Sequence, residues 1–134
     1  LNQKQLKSLP ENILGISRTE NIQQLAEIYS ASDVFLNPTY EDNFPTTNIE
    51  ALACGTPVIT YKTGGSPDAI DENTGIVVEK GDIDGLIAAI NQVKEKGKAF
   101  YSACCVYRAK KWYNKEDRYK EYLEIYNEVL TKSV

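Results

Sequence analysis

Hydrophobic and polar positions along the chain come in alternating blocks, short β-rich runs followed by stretches with apolar residues at helical spacing. Leu1 to Leu9 reads as the tail of a helix that stops before Pro10, because the residue preceding a proline is pushed out of helical space. Asn12-Ile13-Leu14-Gly15-Ile16 reads as a buried strand and Ser17 to Glu20 as a polar loop. Asn21 with Gln24 three residues on resembles a capping box. Ile22, Leu25, Ala26 and Tyr29 then recur at the period of a helix packed on a sheet.

The alternation continues. Val34 to Pro38 predicts a strand, Thr39 to Pro45 a polar loop, and Thr46 to Cys54 a short helix that Gly55 ends with a left-handed cap. Pro57 to Tyr61 predicts a third strand, Ser66 to Asp71 a helical turn, and Gly75 to Val78 a fourth strand. Ile83, Leu86, Ile87, Ile90 and Val93 mark an amphipathic helix ending near Gly97. Helices over Phe100 to Trp112 and Arg118 to Leu130 follow, the last with Tyr119, Tyr122, Leu123, Tyr126 and Leu130 on one stripe. Strands alternating with helices specify βαβ units and a parallel sheet. The expected fold is therefore a Rossmann-like, three-layer α/β domain over residues 1–134, with a helical tail over 98–134. Since βα units come in order, a chain that opens on a helix tail leads us to expect at least one such unit upstream.

Composition narrows the function classes. A length of 134 residues suits one core, and 42% hydrophobic with 25% charged residues is ordinary for a globular domain. The formal charge is −4 and no strongly basic stretch exists, which argues against nucleic acid as a partner. No apolar run approaches membrane-spanning length. Cys54, Cys104 and Cys105 make an odd count without a CxxC pair, which argues against a disulfide scaffold or zinc site and sets a reducing cytoplasm as the expectation. There is no His, so an imidazole base from within these residues is excluded.

The chemistry concentrates between Tyr40 and Ile59. A strand ends at Pro38, a loop follows at the carboxyl edge of the sheet, and a helix starts near Thr46; ligands of open α/β sheets bind at this edge. The first-turn amides of Thr46, Thr47 and Asn48 are expected to be free, and the helix dipole favours an anion there, a diphosphate above all. Glu50, one turn in, and Asp42, on the loop, are poor phosphate ligands but good acceptors for hydroxyls. The pattern suits a nucleotide diphosphate sugar. Gly64-Gly65, in the loop from Lys62 to Pro67, reads from the residues alone as a tight loop.

The same segment resembles the signature of family-4 retaining glycosyltransferases, in which an acidic residue, a seven-residue spacer and a Glu precede Ala-x-Ala-Cys-Gly-x-Pro-Val. Here Asp42, seven intervening residues and Glu50 precede Ala51-Leu52-Ala53-Cys54-Gly55-Thr56-Pro57-Val58. The family's usual residue at the first position is Glu, so Asp42 is a shortened variant; Glu41 lies one residue out of register. Leu25 to Pro38, Gly64 to Ile70, and Asn73 to Val78 with Gly81-Asp82 are also similar to the family, so the match runs in order over residues 12–93.

The resemblance implies the C-terminal, donor-binding half of a two-Rossmann-domain (GT-B) enzyme that transfers a sugar from an NDP-sugar with retention of configuration and without a required metal. It implies that Glu50 holds the donor ribose and Asp42 the transferred sugar. Asn43, Phe44, Pro45, Thr46 and Thr47 would meet sugar and diphosphate through their backbone, and Ile16 and Ser17 the base. The Arg and Lys that neutralise the leaving diphosphate, and the N-terminal domain that binds a glycan or lipid-linked acceptor, would lie upstream of Leu1, so this stretch alone is expected to be inactive. The implied setting is cytoplasmic or peripheral at the inner membrane face. The tail aromatics are expected to pack against that N-terminal domain and so to leave apolar surface here. Two rivals stand beside this reading: an inactive binding module, which Asp42 favours, and another α/β binding domain, which the absence of a Gly-x-Gly-x-x-Gly after a strand disfavours.

Overall fold

A computed structural model describes residues 3–132. In chain order it contains α1 (Gln3–Lys7), α2 (Ile22–Ala31), β1 (Phe35–Asn37), α3 (Thr46–Ala53), β2 (Val58–Tyr61), a 3₁₀ turn (Pro67–Ala69), β3 (Gly75–Val78), α4 (Ile83–Lys96), α5 (Lys98–Tyr113) and α6 (Lys115–Lys132). The helix expected at the N-terminus is present as α1; Leu1 and Asn2 lie outside the described residues.

The sheet is parallel, ordered β1-β2-β3, with Phe35 opposite Val58 and Val58 opposite Gly75. All four residues of β2 are buried, as expected of a central parallel strand covered on both faces. Helix α3 packs on β1 and β2, α4 on β2 and β3, and α5 on α3 and α4. Gly75 is required by this geometry: a Cβ there would overlap the Val58 carbonyl oxygen in the β2–β3 ladder.

Helix starts follow local chemistry. The Asn21 side chain accepts from the Gln24 amide at 2.8 Å, and the Gln24 side chain accepts from the Glu20 amide at 2.7 Å, so the capping box closes on the residue before the cap. Asp82 caps α4 by accepting from the Gly85 amide at 2.8 Å. Gly55 follows α3 with φ 74°, the left-handed conformation expected from the sequence.

One expected element is missing. Residues 12–16 form no strand, and the Ile13 amide instead turns back onto the Pro10 carbonyl at 2.9 Å. Ile13, Leu14 and Ile16 are all exposed. An apolar β-rich run becomes a strand only when a neighbour completes its ladder, and among the described residues none does. The sheet therefore has three strands rather than four.

The core joins Tyr29 of α2, Ala51 and Leu52 of α3, the β2 side chains, and Tyr101, Cys105 and Ala109 of α5. Polar ties reinforce it: the Ser102 hydroxyl donates to the Gly55 carbonyl at 2.7 Å, and Thr56 Oγ1 to the Tyr29 carbonyl at 2.6 Å. Helix α6 stands apart, with Tyr119, Tyr122, Leu123, Tyr126 and Leu130 all exposed, so the apolar tail surface expected from the sequence is there.

Cys105 is wholly buried, and its thiol is pushed up from 9.0 to about 12, first by burial and then by Cys104 and Asp71. A raised acid keeps its proton in the folded chain while the unfolded chain loses it, so this contribution to stability is intact below the ordinary thiol range and declines from pH 9 toward 12. Denaturant unfolding under reducing conditions should show stability falling over that window in the wild type, and falling less steeply in Cys105→Ala. Parallel slopes for the two proteins would contradict the assignment.

Candidate functional site

Strand β1 ends at Asn37, and the chain returns as a loop over 38–45 before α3 opens at Thr46. The N-cap of α3 is Pro45, which offers no side-chain hydrogen bond to the first turn. Helices α2 and α4, by contrast, are capped by their own side chains. Thr46 and Thr47 are exposed, and their amides carry no hydrogen bond among the described residues. The first turn holds no acidic residue, so the positive end of the helix dipole is open to an anion. The expectation for Asn48 needs correcting: its amide donates to the Pro45 carbonyl at 3.2 Å, a tight 3₁₀-type closure, so it is not available to a ligand.

The Asn48 side chain has a different task. It is fully buried; Oδ1 accepts from Asn37 Nδ2 at 2.9 Å, and Nδ2 donates to the Ser66 carbonyl at 3.2 Å and hydroxyl at 3.1 Å. The Ser66 hydroxyl pairs with Thr60 Oγ1 at 2.6 Å, and Thr60 Oγ1 also reaches the Asn37 carbonyl at 2.9 Å. This closed set ties the start of α3 to the ends of β1 and β2 and to the 3₁₀ turn.

The Gly64-Gly65 loop explains itself in the same frame. A Cβ on Gly64 (φ 49°) would overlap the Asp42 carbonyl oxygen, and one on Gly65 the Asn43 carbonyl oxygen, which also accepts the Gly65 amide at 2.8 Å. The two glycines let this loop lie flat against residues 42 and 43. From the other side, Arg108 of α5 donates to the carbonyls of Ala69 at 2.7 Å and Asp68 at 3.0 Å, and pairs with Asp71 at 2.7 Å. Phe44 is partly exposed and its ring leans on Tyr113 at 6.0 Å, while Pro45 is buried.

The two acids sit on either side of the open turn in sequence. Asp42 is half-buried on the loop, and no hydrogen bond or ion pair ties its carboxylate to another described residue. Glu50 is half-buried on α3 and accepts from the Tyr29 hydroxyl at 3.2 Å. It borders a mainly apolar hollow of about 310 Å³ between α2 and α3, lined by Ile22, Leu25, Ala26, Tyr29, Ala53 and Cys54. The structure thus gathers Asp42, Asn43, Phe44, Pro45, Thr46, Thr47 and Glu50 along one loop and helix start. Ile16 and Ser17 remain exposed in the irregular run, with no hydrogen bond to that segment among the described residues. The sequence reading missed Tyr29, Ser66, Arg108 and the side-chain role of Asn48; only Asn48 carried a signal, as an amide side chain on a short helix.

A parallel three-stranded sheet with a side-chain-uncapped helix start at its carboxyl edge defines a Rossmann-like α/β domain, and ligands of such sheets bind at that edge. The chain belongs to the family glycosyl transferases group 1, whose model matches residues 2–112. It is similar to D-inositol 3-phosphate glycosyltransferase of Segniliparus rotundus, with 37% identity over 84 residues, 57% of this chain and 19% of that protein. The corresponding enzyme of Mycobacteroides abscessus is 35% identical over 88 residues, 65% of this chain and 20% of that protein. Sucrose-phosphate synthase from Thermosynechococcus elongatus shares the fold with a TM-score of 0.72 and 31% identity, over 81% of this chain and 28% of that one. The chain therefore spans about a fifth of the length of these curated relatives.

Replacing Asn48 by Leu keeps the branched skeleton of the side chain but removes the acceptor of the Asn37 amide and the donor to the Ser66 carbonyl. Urea unfolding should show a loss of about 2–3 kcal/mol, the cost of buried polar groups left unpaired. A loss under about 0.5 kcal/mol, the range of an ordinary surface change, would contradict the network's role.

Proposed function

We propose that this chain is the donor-binding part of a retaining glycosyltransferase, which in the whole protein moves a sugar from a nucleotide diphosphate to a glycan or lipid-linked acceptor. The observation that carries the reading is the open first turn of α3. The exposed amides of Thr46 and Thr47 receive the diphosphate, with backbone from Asn43 to Pro45 lining the approach. Glu50 accepts from the donor ribose and Asp42 from the transferred sugar. As the sugar–phosphate bond breaks, negative charge grows on the leaving diphosphate, and fixed amide dipoles stabilise that charge more than the ground state. The reading requires no metal ion. Ile16 and Ser17 serve the base through main-chain groups.

The chain's net charge of −4 repels such a ligand at long range, so binding by this part alone is weak and transfer by it alone is absent. Cationic partners for the diphosphate and the acceptor site come from the rest of the enzyme. Among the described residues no helix is long and apolar enough to cross a membrane. The enzyme works in the cytoplasm, or peripherally at the inner membrane face where its acceptor is a lipid.

Titration of UDP, GDP and ADP sugars followed by amide NMR tests the reading. Shifts should cluster over residues 42–50, and Glu50→Gln should weaken nucleotide binding roughly tenfold, as loss of a charged hydrogen-bond acceptor does, while leaving inorganic pyrophosphate binding unchanged. Shifts gathered elsewhere, or equal weakening for pyrophosphate, would overturn it.

A further inference from the structure

Glu50 lies on an α3 face that is only half-covered, where a carboxylate would normally sample several rotamers and lose that freedom on binding. One of its oxygens is held. Tyr29 donates its phenolic proton to Oε2 at 3.2 Å, while no hydrogen bond reaches Oε1 among the described residues. Tyr29 is itself a fixed post: only 7% exposed, its ring set edge-on to Phe35 at 5.3 Å, its carbonyl accepting from Thr56 Oγ1 at 2.6 Å. Its hydroxyl is pushed up from 10.0 to about 12, by burial first and then by the Glu50 charge, so it remains a donor across the physiological range.

We propose that Tyr29 is a positioning residue for ribose recognition: by anchoring Oε2 of Glu50 it presents Oε1 to the vicinal 2′- and 3′-hydroxyls of the nucleotide. The inference rests on the donor-binding reading and deepens it. A carboxylate with one oxygen tied to a buried phenol keeps its second oxygen in a fixed place, so less order has to be imposed when the diol arrives. The tie also supplies a hydrogen bond to a carboxylate that borders the largely apolar hollow between α2 and α3, leaving its other oxygen for the ligand. Tyr29 touches Glu50 and not the ligand, so its effect appears only where the ribose hydroxyls are present.

The test compares UDP, GDP and ADP with their 2′,3′-dideoxy counterparts on the wild-type chain, Tyr29→Phe, Glu50→Gln and the double variant. Tyr29→Phe keeps the ring and its packing, and thermal unfolding checks that the fold is retained. The wild type should prefer the ribonucleotide, and Tyr29→Phe should cut that preference roughly three- to tenfold, the cost of immobilising one side chain on binding. In the Glu50→Gln background the same change should alter nothing further. An undiminished preference in Tyr29→Phe, or an equal loss in both backgrounds, overturns the positioning role while leaving the donor site standing. A wild-type chain blind to the ribose hydroxyls overturns the role of Glu50 and this inference with it.

Discussion

Asn48 joins the sheet to the site. Its side chain is wholly buried and bonded at both ends, accepting from Asn37 at the end of β1 and donating to Ser66 before the 3₁₀ turn. An amide in that position costs several kcal/mol of desolvation if left unpaired and is nearly neutral when every partner is present. The arrangement therefore holds only in one relative placement of α3, β1 and the turn over 67–69. Fixing that placement fixes where the first amides of α3 point, and the loop carrying Asp42 has to follow.

The remaining supports act on the same joint. Gly64 and Gly65 let a second loop lie against the backbone of residues 42 and 43, where any side chain would collide with carbonyl oxygens. Arg108 closes the far side by bonding the carbonyls of Asp68 and Ala69, which ties the site to α5. The apolar core under β2 supplies most of the driving force, while these polar ties select the geometry. The result is a helix start that no described side chain caps, an arrangement that costs some helix stability and leaves the Thr46 and Thr47 amides without a hydrogen bond among the described residues.

Much of this was legible in the sequence because local rules and global fold agree there. Asn21 and Gly55 mark helix ends by capping chemistry, and the apolar runs at β1, β2 and β3 lie where strands pair. The run over residues 12–16 failed because composition reports strand propensity and not the presence of a neighbour to complete a ladder. The candidate site was visible as a motif from Asp42 to Gly55, down to the free amides of Thr46 and Thr47. Its supports were not visible: Tyr29 lies 21 residues from Glu50, and Arg108 lies 37 from Asp71. Such pairings depend on tertiary placement, and a tyrosine on a helix stripe reads as core whether or not its hydroxyl has a partner. Asn48 was misassigned because a helix-start amide is expected to be free, whereas a tight first turn consumed this one.

In the proposed function, the start of α3 receives a diphosphate. A crystal structure of the chain with a bound nucleoside diphosphate tests it most directly. The β-phosphate oxygens should lie within hydrogen-bond reach of the Thr46 and Thr47 amides, with the ribose beside Glu50. A diphosphate seated away from that turn, with those amides still facing solvent, would contradict it.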